Sequence, residues 1–385
     1  MARNTDEIQL KLSHEGKTVN KKTIDISSNA FWNDYAPVTV EFLRLSPSKT
    51  YDLEVSLDGE VQENAYAFST FADGVAEEYS FQLGSCALYA TGIFKLAWWN
   101  KTRIFKTMAE NPADFMLWMG DNVYLLFGEW ETAKKMQRKF TKVRLSKNIN
   151  SLVTSKPQYA TWDDHDFGPN NSDATFVNKD ATLANFQSFW PNPSFGTDET
   201  PGVFSNFSHN DSEVFLLDDR YHRQAKGFEQ NLGKGQLDWL KAQLKASTAT
   251  FKFIVHGSQV LNTLNIHECY ALFDFIQDNK IEGVIFFSGD RHFSELLKLE
   301  QDGLYPFYEF TCSPMASFIR KATAKEDDLE FANPLRVPGT LVVERNYGTV
   351  SVSGPLNDRV CTLRTFDKKG EMIWEESIRA AELRF

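Results

Sequence analysis

Apolar and polar residues alternate along "TVEFLRLSPSKTYDLEVSLDG" (39–59), and the alternation returns in "AYAFSTF" (65–71). A period of two sends every second side chain to one face, which predicts half-buried strands punctuated by Pro and Gly. Residues 1–77 therefore read as a small all-β domain, with its boundary in "ADGVAEEYS" (72–80). From residue 78 to 385 the pattern changes. "YSFQLGSC" (79–86), "DFMLWMGDNVY" (114–124), "QYATWDDHDFG" (158–168), "EVFLLDDRYHR" (213–223), "FKFIVHGSQ" (251–259) and "EGVIFFSGDRHFSE" (282–295) are apolar runs that break into polar loops. Between them "KTRIFKTMAEN" (101–111), residues 128–155, "GKGQLDWLKAQLKAS" (233–247) and "HECYALFDFIQDNK" (267–280) carry helical periodicity. Strands alternating with helices predict an α/β domain. The strand-rich stretch from residue 339 to 378 is expected to extend one of its sheets.

In α/β sheets the ligand site lies at the carboxyl ends of the strands. Residues able to bind metal recur there: Cys86, Asp121 with Tyr124, Asp164 with His165, and Asp290 with His292. Composition narrows what such a site can serve. Hydrophobic residues make up 42% and aromatic residues 14%, enough for a large core, so disorder is set aside. Lys and Arg number 41 against 52 Asp and Glu, a formal charge of −11, which argues against a nucleic-acid duplex as partner. No apolar run is long enough for a transmembrane helix. The start, "MARNTDEIQLKLSHEGK", lacks the apolar core of a signal peptide, which leaves a cytoplasmic protein or a trimmed export signal. The oligomeric state is left open. The four cysteines are widely spaced, with no CxxC, and do not read as a disulfide framework.

Each constellation has a bland alternative. Asp121 and Tyr124 in "LWMGDNVY" can form a capped turn with a half-buried Tyr, or supply a bridging carboxylate and a phenolate. "TWDDHDFG" sets Asp163, Asp164 and Asp166 around His165 with no Lys or Arg nearby, either as a solvated acidic loop or around a missing cation. Asp290 and His292 in "FFSGDRHFSE" are ligands two apart on a bent loop, or an Asp–Arg pair beside a satisfied His. Cys86 is a small buried hydrophobe or a thiolate. Arg220 and Arg223 fit a phosphate oxyanion, with a salt bridge to Asp218 or Asp219 as the rival. His256 reads as structural.

No nucleophile elbow, P-loop, HExxH or dinucleotide fingerprint is present. The ordered set "GSC" (84–86), "GDNVY" (120–124), "WDDHDFG" (162–168), "LDDRYHR" (217–223), "LGKGQLDWL" (232–240), "GSQ" (257–259), "SGDRHFSE" (288–295) and "NYG" (346–348) resembles the alkaline phosphatase D (PhoD-like) family of metallophosphoesterases. The last strands of residues 1–77 are likewise similar to a fibronectin-type β-sandwich. The resemblance implies a four-layer αββα, calcineurin-like sandwich behind a small β-domain. It implies that Cys86, Asp121, Tyr124 and His292 surround Fe(3+), and that Asp121 bridges to a second site, commonly Ca(2+), held also by Asp164 and Asp290. It makes His165 the imidazole that meets the substrate phosphate, and places Arg220, Arg223 and Gln259 near the site. Asp163 and Asp166 are left as supports for His165 or as charge balance. The expected activity is hydrolysis of small phosphomonoesters or phosphodiesters, and the expected location is secreted or periplasmic. The rival is a non-catalytic calcium-binding adhesion module, which accounts for the acidic loop and leaves Cys86, Tyr124 and His292 unexplained.

Overall fold

The computed structural model describes residues 2–3, 5–27, 35–63, 66–89, 102–224, 231–261, 267–320 and 332–385. The chain divides into two compact units, Met1–Ala76 and Glu77–Phe385. In the first, β2 (Glu7–His14), β3 (Lys17–Asp25), β5 (Thr50–Leu57) and β6 (Glu60–Val61) form a sheet ordered β3-β2-β5-β6, with β7 (Tyr66–Ser69) also on β5. A short pair, β1 (Ala2–Arg3) and β4 (Tyr35–Ala36), stands apart from it. Ile8, Leu10 and Leu12 alternate into the core, as a period of two requires. The alternation at Val38, Val40 and Phe42 also packs on that core, yet residues 37–49 pair with no strand. Arg44, at φ +58°, turns the backbone between this segment and β5.

The second unit holds two six-stranded sheets. The first is ordered β10-β9-β8-β17-β18-β19, built from β8 (Glu78–Gly84), β9 (Phe115–Met119), β10 (Gln158–Thr161), β17 (Asn346–Ser353), β18 (Val360–Asp367) and β19 (Met372–Arg379). Strands β8, β9 and β10 are parallel, and the C-terminal three extend the sheet as an antiparallel meander. The second sheet is ordered β11-β12-β13-β14-β16-β15, built from β11 (Ser205–His209), β12 (Ser212–Leu216), β13 (Phe251–His256), β14 (Val284–Ser288), β15 (Glu295–Leu299) and β16 (Phe307–Thr311). Its four central strands are parallel.

The burial pattern of β9 sorts the layers. Phe115, Leu117 and Met119 join one core with residues of the second sheet, whereas Met116 and Trp118 join another with helical residues. The outer layer on that side is α1 (Ile104–Glu110), α2 (Ala133–Arg144), α3 (Lys147–Val153) and, beyond the one-turn α4 (Asp164–Phe167), α5 (Lys179–Phe189). On the far face of the second sheet lie α6 (Gly233–Ala246) and α7 (His267–Asp278), whose Leu240, Leu244, Leu272, Phe273 and Ile276 complete its core. The order is helix, sheet, sheet, helix, the four-layer αββα arrangement expected from the motifs. Residues 128–155 are not one helix but α2 and α3, broken at Leu145–Ser146.

Phe81 joins the two sheets. Its ring stacks on Phe115 at 4.8 Å and meets Phe253 and Phe287 of the second sheet at 5.4 and 6.0 Å. Phe81→Ala is expected to cost about 3–5 kcal/mol, read from the urea unfolding midpoint. A loss under about 1 kcal/mol would mean that this ring does not hold the sheets together.

Candidate active site

The strands of both sheets end on common ground. β8 delivers Cys86; β9 delivers Asp121 and, three residues on, Tyr124; β10 leads through Trp162 into α4 with Asp164 and His165; β14 delivers Asp290, Arg291 and His292. The stretch after β10 is a helical turn rather than an open loop. Loop-to-loop hydrogen bonds hold these pieces in register. Cys86 N–H donates to Gly120 O at 3.3 Å and Ala87 N–H to Asp121 O at 2.8 Å. Asp166 accepts Asn122 N–H at 3.0 Å and Val123 N–H at 2.7 Å, joining the β9 and β10 loops. His292 N–H donates to Ser313 Oγ at 3.0 Å, and that hydroxyl donates to Cys86 Sγ at 3.2 Å.

Four of the predicted ligands sit in the left-handed backbone region: Cys86 (φ +55°), Asp121 (+54°), Asp290 (+66°) and His292 (+60°). Such conformations cost energy for residues with a Cβ and cluster at functional sites. Glycine permits the close approach between loops. A Cβ on Gly120, itself at φ +82°, would lie 2.6 Å from the Asp163 Cβ, and one on Gly289 would lie 2.4 Å from Met119 O.

The result is two donor groups that share a residue. Ligand atoms of Cys86, Asp121 and His292 lie within 4.8 Å of one another, as do those of Asp121, Asp164 and His165. Cys86 Sγ is 3.6 Å from Asp121 Oδ2. The Tyr124 hydroxyl is 3.3 Å from His292 Nε2, which brings the phenol to the first group, and its ring stacks on His165 at 4.3 Å. Asp290 belongs to neither group but lines the same cleft, a cavity of about 470 Å³. Thiol, carboxylate and imidazole side chains placed together in this way could hold metal ions. His165 Nδ1 is buried without a hydrogen-bond partner among the described residues.

The electrostatics call for a cation. Burial, reinforced by Asp164, Asp163, Asp166 and Asp290, holds the Asp121 carboxyl well above the carboxylate range. Burial and Asp121 push the Cys86 thiol and the Tyr124 phenol up as well. Burial alone would raise Asp164, but Arg220, His165 and the Asn171 N–H outweigh it and bring it down. Burial also lowers His165, against the pull of Asp164. Asp166 is pushed up to about 7 by burial, against three backbone N–H donors. Like charges crowded this closely are relieved by a positive ion, which opposes the upward shifts of Asp121, Cys86 and Tyr124.

The other predicted site residues do not line the cleft. Arg220 is 3% exposed, paired with Asp163, and donates to Ser258 Oγ at 3.0 Å. Gln259 is as buried, and donates to Glu295 at 2.7 Å and Thr311 at 2.8 Å. Arg223 is half-buried, and with Arg220 and His256 it holds Asp219 low against burial. The arginines that do line the cleft are Arg291 and Arg320, beside Phe318 and Ile319. Arg291 sits inside a recognised motif but reads there as a partner for Asp290. Residues 318–320 carry no motif, so only their position after β16 could have pointed to them.

A family model described as PhoD-like phosphatase matches residues 81–347. Among solved structures, one titled as the structure of PhoD is similar at TM-score 0.75 and 17% identity, covering 98% of this chain and 86% of that one. A purple acid phosphatase from yellow lupin (Lupinus luteus) is similar at TM-score 0.65 and 9% identity, covering 98% of this chain and 69% of that one. At these identities the likeness is one of fold. Among curated proteins, none matches.

Because burial keeps Cys86, Asp121 and Tyr124 protonated in the absence of a cation, loading must expel protons. A metal ion titrated into metal-free protein is therefore expected to release protons, and its affinity to rise with pH. Calorimetry in buffers of different ionisation enthalpy checks this, and a binding heat independent of buffer contradicts it.

Proposed function

We propose a chemistry for this site on one premise: the chain belongs to the PhoD-like phosphatase family. It is a phosphoric ester hydrolase with a metallophosphoesterase fold, and its activity depends on metal. The observation that carries the finer reading is the pair of donor groups joined at Asp121. In this reading Cys86, Asp121, Tyr124 and His292 hold Fe(3+). The neighbouring site holds Ca(2+) through Asp121 and Asp164, with Asp290 from the cleft wall. Such ions supply Lewis acidity, which makes the attacking water more acidic and offsets charge on the phosphoryl oxygens.

The chain's own residues do the rest. His165 is held by α4 against the Tyr124 ring, with its backbone N–H on Asp121 Oδ1 at 3.2 Å. From there its imidazole protonates the leaving oxygen; burial keeps its pKa below the ordinary value, and Asp164 and a bound phosphate both pull it back up. Asp163 and Arg220 set the position of α4 from beneath and do not touch substrate. The expected substrate is a small phosphate ester. The family's habit supports a secreted or periplasmic place of action, and among the described residues no helix is long and apolar enough to cross a membrane. A calcium-only adhesion module gives the buried Cys86 thiol, the Tyr124 phenol and the His292 imidazole no task.

Asp121→Ala is expected to abolish both metal content and turnover of 4-nitrophenyl phosphate. His165→Ala is expected to keep the metals and lose about 10²–10⁴ in kcat. Metal quantification decides between the roles: loss of metal from the His165 variant makes it a ligand, and full activity on an alkyl ester removes it from proton transfer. A wild-type enzyme active with neither iron nor calcium bound overturns the metal assignment.

A further inference from the structure

The segment that follows β16 is fastened to the first donor group at two points. Ser317 N–H donates to Cys86 O and Arg320 N–H donates to His292 O, each at 3.0 Å. The residues between them, Phe318 and Ile319, are thereby held over the cleft, which they line together with Arg291 and Arg320. Phe318 is 58% exposed, so its ring contributes little to the core. Arg320 is exposed, and its charge bears on His292, while Arg291 Nη1 lies 3.5 Å from Asp290 Oδ2. On this side the cleft presents an aromatic face and two guanidinium groups beside an otherwise acidic wall.

The phosphoryl group that is cleaved belongs with the donor groups, so the alcohol half of the substrate points along the remaining wall. A phenyl ring stacks on flat rings, and a guanidinium fork pairs with phosphate or carboxylate oxygens. A small aliphatic alcohol engages neither. We propose that Phe318, Arg320 and Arg291 form a subsite for the leaving half of the substrate, selecting phosphate esters whose alcohol carries an aromatic ring and a further anionic group. The inference rests on the phosphohydrolase reading above and names its substrate class.

Two substrate pairs test the two features separately. Phe318→Ala is expected to lower the kcat/KM ratio of 4-nitrophenyl phosphate to glycerol phosphate by about tenfold, the size of one ring-stacking contact. Arg320→Gln is expected to lower the ratio of adenosine 3′,5′-bisphosphate to adenosine 5′-monophosphate by about tenfold, the size of one charge-assisted hydrogen bond, with the loss in KM. Both side chains are exposed, so these truncations leave the core intact. An active wild type whose ratios stay within twofold in both variants overturns the subsite alone. A metal-loaded wild type inert toward all four esters and toward the diester bis(4-nitrophenyl) phosphate overturns the phosphohydrolase reading itself.

Discussion

The site depends on one buried carboxyl group, that of Asp166. It touches no cleft and binds no donor atom, yet it accepts the N–H groups of Asn122 and Val123 and, at 3.3 Å, that of Asp163. The first two bonds join the loop that carries Asp121 and Tyr124 to the turn that carries Asp164 and His165, and the third closes that turn on itself. Asn122, Val123 and Asp163 are buried, so leaving one of these N–H groups unpaired would cost about 1–3 kcal/mol. The carboxyl thus sets the spacing of the two donor groups, and the shared position of Asp121 follows from it.

A second layer of charge lies beneath. Arg220 is surrounded by Asp163, Asp219, Asp164 and Asp290, and their combined field keeps it protonated despite full burial. Asp219 accepts the Ser258 N–H at 2.9 Å and lies 3.5 Å from His256 Nδ1, so the loop after β13 is drawn into the same network. Further along, Glu309 accepts the N–H groups of Val260 and Leu261, and Glu295 pairs with Arg336 and Gln259. A guanidinium placed here balances the carboxylates from below, which leaves the upper side to a cation and the substrate. Buried pairs of this kind add little net stability, but removing one partner strands the other.

Strand positions and their loops were legible because a sheet covered on both faces imposes either continuous apolar runs or a strict period of two, and both are visible in the chain. The placement of Cys86, Asp121, Tyr124, Asp164 and His292 beyond strand ends was legible because each follows such a run. Residues 39–45 show the limit of that signal: alternation reports burial, and Val40 and Phe42 are indeed packed, but these residues join no strand ladder. Arg220 and Gln259 show another limit. Both follow a strand as Cys86 and Asp121 do, but they are buried and absent from the lining of the cleft, so distance past a strand end does not by itself tell which layer a side chain joins. The rim residues Phe318 and Arg320 were illegible because hydrogen bonds to Cys86 and His292, far away in sequence, place them.

The left-handed backbone at Cys86, Asp121, Asp290 and His292 has a consequence for how this protein can change. At each position glycine relieves the backbone while deleting the ligand, so a chain selected for stability alone drifts toward glycine there and away from metal. Function and robustness pull in opposite directions at the same four positions. The proposed metal chemistry would therefore need side chains at positions where the backbone favours glycine.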